Sequence, residues 1–251
     1  LDAQQTKMAV IANNLANVST TGFKKSRAVF EDLVYQNIRQ VGGQTSQNTE
    51  LPTGLQLGTG VRTVATEKLH SQGNLQQTEN SLDVAINGEG WLAVQGSDGQ
   101  EAYTRAGDLR VTPEGFLQTG RGEAILGDDG PIVIPAADKI DIGVDGTITI
   151  IPLGENATTL LNVDRIRVVN PELKDLEKLN DGLMHLKQGV QPPEADANVT
   201  LMQGAVEGSN VSAVDAMVEM IELAKNYELQ VKVMKSADEQ SGAATKLMQM
   251  N

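Results

Sequence analysis

"IANNLANVSTTGF" (residues 11–23) decides how this chain is read. A helical pattern runs into it, then dissolves into small hydroxylated residues, a glycine and a phenylalanine. Apolar side chains fall at Leu1, Met8, Ile11, Leu15 and Val18, and from Met8 onward their spacing makes one helical stripe. Ala3, Ala9, Ala12 and Ala16 favour helix. Asn13, Asn14 and Asn17 oppose it, because short polar side chains compete for backbone hydrogen bonds. A helix is therefore expected over residues 1–18, fraying through "NVSTTG" and stopping at Gly22, which can take a left-handed conformation. The stretch holds no nucleophile–base pair, metal-ligand spacing or phosphate loop, so something other than chemistry requires it.

The far end of the chain has the matching property. Ala213, Met217, Met220, Ala224, Tyr227, Val231 and Met234 alternate steps of four and three, an a/d heptad seam. Ser212 fits an N-cap, with Asp215 completing a variant capping box. Beyond Met234 the seam turns polar at Asp238, Ser241 and Thr245, and Gly242 weakens it. The expected helix over 211–249 would extend about 58 Å at 1.5 Å per residue. A helix of that length needs a partner, and the N-terminal stripe is the candidate.

Between the ends the pattern changes to β. In "SLDVAINGEGWLAVQ" (81–95) two apolar runs flank Asn87-Gly88, a hairpin signal. Further turn pairs stand at Asp98-Gly99, Glu114-Gly115, Asp129-Gly130 and Asp145-Gly146, separating short apolar segments as in an antiparallel β domain. "SRAVFEDLVYQNIRQ" (26–40) reads as a short helix or an extended piece. Residues 41–60 are polar, glycine-rich and carry Pro52: a flexible linker, or an arm that orders against a neighbour. The expected fold is multidomain α+β. The terminal helices (1–23 and 211–251) pair as a coiled-coil stem. They carry an extended connecting arm (24–81), an inserted antiparallel β domain (82–190) and a return segment (191–210).

Composition narrows the function. A formal charge of −13 repels phosphate backbones and anionic bilayer surfaces, so neither nucleic acid nor a membrane surface is an expected partner. With no cysteine there is no disulfide scaffold or thiolate metal site. No apolar run is long enough to span a bilayer. No cleavable signal is visible; the chain begins at Leu1 rather than Met, so a removed start stays open. His70 and His185 lie far apart without metal-type neighbours, and surface or interface placement is expected for both. Gly58 and Gly60 lack dinucleotide-loop spacing and read as turn glycines. "GDDGPI" (127–132) and "GVDGTI" (143–148) offer too few oxygen ligands for calcium and read as turns. Trp91 reads as β-core filler rather than a sugar platform. No catalytic, cofactor-binding or metal-binding residue is expected, and no cofactor.

Two helical ends that bury their seams poorly alone suit a subunit that orders on assembly, where burial offsets the ordering entropy. Repeated head-to-tail contact between unlike surfaces then gives an open helix or tube. With these properties the chain resembles a known family, the axial rod and hook proteins of the bacterial flagellar basal body. "LDAQQTKMAVIANNLANVSTTGFKKSRAVFEDL" (1–33) resembles their N-terminal signature. "DVAINGEGWLAVQ" (83–95) and "AYTRAGDLRVTPEGFL" (102–117) resemble their shared β segment, and "VEGSNVSAVDAMVEMIELAKNYELQVKVM" (206–234) their C-terminal signature. Residues 1–81 are most similar to the distal-rod type and residues 91–251 to the proximal-rod type, as in an intermediate natural sequence or a fusion joined between Asn80 and Trp91. Family members carry further residues before the position of Leu1.

The resemblance implies a non-enzymatic structural subunit of the periplasm-spanning rod. Such a subunit polymerises into a helical tube that transmits torque from motor to hook. It is exported by the flagellar type III route without signal cleavage. Its implied partners are copies of itself and other rod or hook subunits, with no nucleic acid, membrane insertion or small-molecule substrate. The implied assembly interface comprises Met8, Ile11, Asn13, Asn14, Leu15, Asn17, Gly22 and Phe23 with Ala213, Met217, Met220, Ala224, Tyr227, Val231 and Met234 opposite. In that setting the small residues from Ala16 to Gly22 admit close approach of neighbouring helices, Gly22 reverses the chain and Phe23 anchors the next segment. Two other classes stand beside this reading: a secreted cell-wall-acting enzyme with an acidic dyad, and a soluble export adaptor or chaperone whose methionine-bearing seam binds helices.

Overall fold

A computed structural model of the chain describes residues 2–37, 56–155, 158–179 and 181–249. The stretch expected as linker or arm at 41–60 therefore lies, up to residue 55, outside the described residues. The protein is mixed α+β, with many short strands and two helices among the described residues. It forms two compact units. The first comprises the described residues within 1–16, 26–69 and 212–251, and the second those within 17–25 and 70–211.

The first unit contains helix α1 (Asp2–Ala16), strands β1 (Ser26–Asn37) and β2 (Gln56–Lys68), and helix α2 (Ala213–Gln249). Residues 26–37, open between helix and extended chain in the sequence, are a strand. Val29, Phe30, Val34 and Tyr35 give that segment the β-branched and aromatic content that suits a pleated surface. β1 and β2 pair antiparallel from Ser26↔Lys68 to Asn37↔Gln56, with a bulge where the register shifts between Val29 and Phe30. α1 packs against α2 and β1. Ser212 caps α2 as its sequence suggests: the Asp215 amide donates to Ser212 Oγ at 3.3 Å.

α1 stops at Ala16, earlier than the apolar stripe suggested. The next turn, in the second unit, replaces helical bonds with local ones. Thr20 donates to Asn17 through both its amide and its hydroxyl, each at 3.2 Å, and the Phe23 amide reaches Thr20 O at 3.2 Å.

The second unit is built from β3 (Leu75–Gln77), β4 (Val84–Asn87), β5 (Trp91–Gln95), β6 (Glu101–Thr104), β7 (Leu109–Val111), β8 (Leu117–Thr119), β9 (Ala124–Ile125), β10 (Ala137–Ile142), β11 (Thr147–Pro152), β12 (Leu161–Arg165), β13 (Val168–Val169), β14 (Leu176–Lys178), β15 (Met184–Leu186), β16 (Thr200–Gln203) and β17 (Ala205–Glu207). Its largest sheet runs β14-β15-β6-β5-β9-β8-β7, with β13 also on β5. β10-β11-β12 form a second sheet, and two pairs, β16-β4 and β17-β3, bring the end of the unit back to its beginning. Residues 75–77 and 200–207, placed by the sequence in the arm and the return segment, are thus strands of this β unit.

β5 shows why the large sheet is covered twice. Leu92 and Val94 enter a core with Leu117, Ile125, Ile148 and Ile150, while Trp91 and Ala93 point into a second cluster with Tyr103, Leu176 and Met184. The turns at Gly99, Gly115 and Gly146 join strands that pair with each other, as expected. Asn87-Gly88 does not make a hairpin: β4 pairs with β16, and β5 with β6, β9 and β13. The signal marked a real turn, but a strand from far along the chain takes the place that a hairpin partner would have filled.

Candidate assembly site

Gly22 lies in the second unit with φ +67, in the left-handed region its sequence position called for. Its amide donates to the Glu207 carbonyl at 2.7 Å. A Cβ on Gly22 would stand 2.4 Å from the Arg105 carbonyl carbon and 2.5 Å from the Ala106 nitrogen, so this glycine also admits another backbone. The crowding comes from the chain's own β unit. Phe23 is buried beside it, with the Lys178 ammonium 5.2 Å from its ring centroid.

Around this point the two ends of the second unit are joined by buried charge. Glu207, in β17, is fully buried between two cations. Lys24 bonds one of its oxygens, and Arg105 Nε lies 3.0 Å from the other, close enough for an ion pair though off the hydrogen-bond axis. The Gly73 amide donates to Glu207 Oε1 at 2.8 Å, Lys24 Nζ donates to Ser71 O at 2.8 Å, and Arg105 donates to Gly88 O. Burial holds both Lys24 and Arg105 below their ordinary pKa, against the opposing pull of Glu207. Asn210 adds a polar stitch: its Oδ1 accepts from the Lys25 amide at 2.7 Å, its Nδ2 donates to Ser71 O at 3.0 Å, and its amide donates to Phe23 O at 3.2 Å. Arg105 also stands 5.9 Å from the centroid of the Trp91 ring, and His70 meets that ring edge-on at 5.7 Å.

The first unit holds most of the remaining residues singled out in the sequence. Ile11 is buried, Met8 and Leu15 are half-buried, and Asn13 is exposed. Asn14 is buried and exchanges two 2.8 Å hydrogen bonds with the backbone of Ser26, tying the end of α1 to the start of β1. Asn14→Ala is expected to destabilise this attachment by about 1–3 kcal/mol, because the Ser26 groups lose their partner. Faster amide exchange at Ser26, with the second unit unchanged, is the measurement.

On α2, Ala213 and Met220 are half-buried, Ala224 is exposed, and Met217, Tyr227, Val231 and Met234 are exposed apolar positions in the single chain. The buried positions are Ala216 and Leu223. Leu223 and Tyr227 border an apolar groove of about 400 Å3 with Met8, Ala9 and Ala12, and Lys7 pairs with Glu219 at 2.9 Å beside it. The sequence contained this register as well: Ala216, Met220, Leu223 and Tyr227 also step by four, three and four. It was hidden because α2 is apolar on more than one side. Val214, Val218, Ile221 and Leu229 form yet another stripe, each at least half exposed. Lys24, Arg105, Glu207 and Asn210 escaped notice because single charged or polar residues carry no periodicity.

The histidines belong to packing. His70 is at Trp91, and His185 pairs with Asp181 at 2.7 Å. Among the described residues no three metal-ligating side chains converge, and no helix is long and apolar enough to cross a membrane.

A long helix with apolar stripes on several sides, in one chain with a β unit whose ends are locked together, defines an assembly subunit. The chain matches the family described as Flagella basal body rod protein over residues 1–24. It matches Flagellar hook protein FlgE/F/G D1 domain over 85–150 and Flagellar basal body rod FlgEFG protein C-terminal over 202–247. It is 45% identical to the flagellar basal-body rod protein FlgG of Buchnera aphidicola subsp. Acyrthosiphon pisum, covering 95% of this chain and 93% of that one. It is 37% identical to the flagellar basal-body rod protein FlgF of Salmonella typhimurium over 98% of this chain and 93% of that protein. With the flagellar basal-body rod protein FlgG of Borreliella burgdorferi it shares 34% identity over 98% and 95%. The chain belongs to the flagellar basal-body rod protein family: it is a structural subunit of the basal-body rod. Relatives of both names run across nearly its whole length, and neither the cell-wall enzyme nor the soluble adaptor is favoured.

Proposed function

We propose that this subunit polymerises, with copies of itself and with other rod or hook subunits, into a helical tube that passes torque from motor to hook. Its role is mechanical and not enzymatic. In this reading α1 and α2 form a coiled-coil stem completed by neighbouring subunits. Met8, Ile11, Asn13, Asn14 and Leu15 act on one side, and Ala213, Met217, Met220, Ala224, Tyr227, Val231 and Met234 on the other. Asn17, Gly22 and Phe23 anchor the chain on the β unit, the segment between Ser26 and Leu69 serves as the connecting arm, and the chain travels by type III export. The observation that carries the proposal is the exposure of apolar side chains along α2, with Val231 41% and Met234 44% exposed in the single chain. A soluble monomer gains nothing from such stripes, which instead mark a surface awaiting a partner.

Val231→Asp tests it. Because Val231 is exposed here, the variant monomer should keep the wild-type thermal midpoint within about 0.5 kcal/mol of stability. Polymer formation, followed by sedimentation and electron microscopy, should be lost. Full-length polymers from the variant would overturn the stem.

A further inference from the structure

We propose that the N-terminal segment Asn17–Lys25 docks onto its own unit only after the far end of the chain has delivered Glu207, which makes Glu207 the closing residue of the fold. The inference stands on the second unit alone and does not require the rod reading.

Phe23 meets Lys178 and Gly22 packs on the Arg105–Ala106 backbone, but the main-chain and carboxylate hydrogen bonds of the segment lead mostly to residues 207–210. Gly22 donates to the Glu207 carbonyl, Lys24 to the Glu207 carboxylate, Lys25 to Asn210, and Asn210 in turn to Phe23. Of these contacts and the Lys24 bond to Ser71, only the last reaches outside residues 207–210. Lys24 and Glu207 are 183 positions apart, so the contact closes a very long loop. That entropy is lost cheaply only once the intervening chain has collapsed.

Charge sets the order. Lys24 and Arg105 side chains are 5% and 4% exposed, and without Glu207 they would bring two cations together in that burial. An uncompensated buried charge is strongly unfavourable and outweighs the burial of Phe23, so entry of the segment before Glu207 is disfavoured. Glu207 does not wait for Lys24 in the same way. Its strand β17 pairs with β3 at Glu207↔Leu75, and the Gly73 amide already holds its carboxylate. The resulting order is β17 onto β3, then Glu207 onto Arg105, then residues 17–25. In a chain emerging N-terminus first, the segment "NVSTTGFKK" stays undocked, and open to other binding partners, until residue 207 has appeared.

Two measurements on the full chain test this. In Glu207→Gln, labelling of Lys24 by an amine-reactive ester, read by peptide mass spectrometry against exposed Lys139, should rise roughly a hundredfold, while Leu92 and Val94 amides stay protected. Lys24 remaining as unreactive as in the wild type would overturn the proposal. In pulse-labelled refolding of the wild type, the Gly22 amide should gain protection after the amides of β3 and β17. Protection of Gly22 before them would overturn it too, and this second experiment decides even if the variant fails to fold.

Discussion

Glu207→Ala is expected to destabilise the unit formed by residues 17–25 and 70–211 by about 3–5 kcal/mol, the usual cost of breaking a buried ion pair from one side. The substitution removes a small volume but leaves Lys24 and Arg105 facing each other with almost no solvent. Urea unfolding followed by Trp91 fluorescence measures it, since Trp91 is the chain's single tryptophan and Arg105 stands over its ring. The companion experiment separates charge from packing. Replacing Lys24, Arg105 and Glu207 together by methionine should recover most of the loss, because a well-packed apolar trio avoids the desolvation that three charges require. A Glu207→Ala midpoint equal to wild type would mean that water reaches the cluster.

Gly107→Ala is expected to be at least as damaging, above about 4 kcal/mol. A Cβ at this position would stand 1.7 Å from the Val84 carbonyl oxygen and 2.8 Å from its carbon. Backbone has to move, since neither atom belongs to a flexible side chain. The movement breaks the 2.9 Å bond from the Val84 amide to Gly107 O and loosens β4, whose other neighbour is β16. Gly99→Ala is the control: its φ is +78 but nothing lies near its Cβ position, so about 1–2 kcal/mol is expected from conformation alone. Equal thermal midpoints for the two variants would show that the close approach at Gly107 does not exist.

The contrast between these sites explains what the sequence could reveal. Periodicity and turn chemistry are local, so the helices at both ends and the turns at Gly99, Gly115 and Gly146 were legible residue by residue. Pairing partners are not local. Nothing near Val84 says that it will lie beside Gln203, and nothing near Leu75 names Glu207. Asn87-Gly88 therefore promised a hairpin that a distant strand pre-empted. α2 is ambiguous for another reason: with apolar residues on several sides, a second register shares Met220 and Tyr227 with the seam and replaces Met217 and Ala224 by Ala216 and Leu223, and only the neighbour present in the single chain singles out the latter two. Gly22 was chosen correctly for its conformation, yet the crowding it relieves comes from Arg105 and Ala106.

The adjacency of Lys25, Ser71 and Asn210 has an architectural consequence. Three segments of the second unit that are remote in sequence meet there within hydrogen-bonding distance. The body built by residues 72–209 is thus drawn shut at one polar knot within its own unit. A larger or smaller body can be spliced between Ser71 and Asn210 so long as its ends return to the same knot.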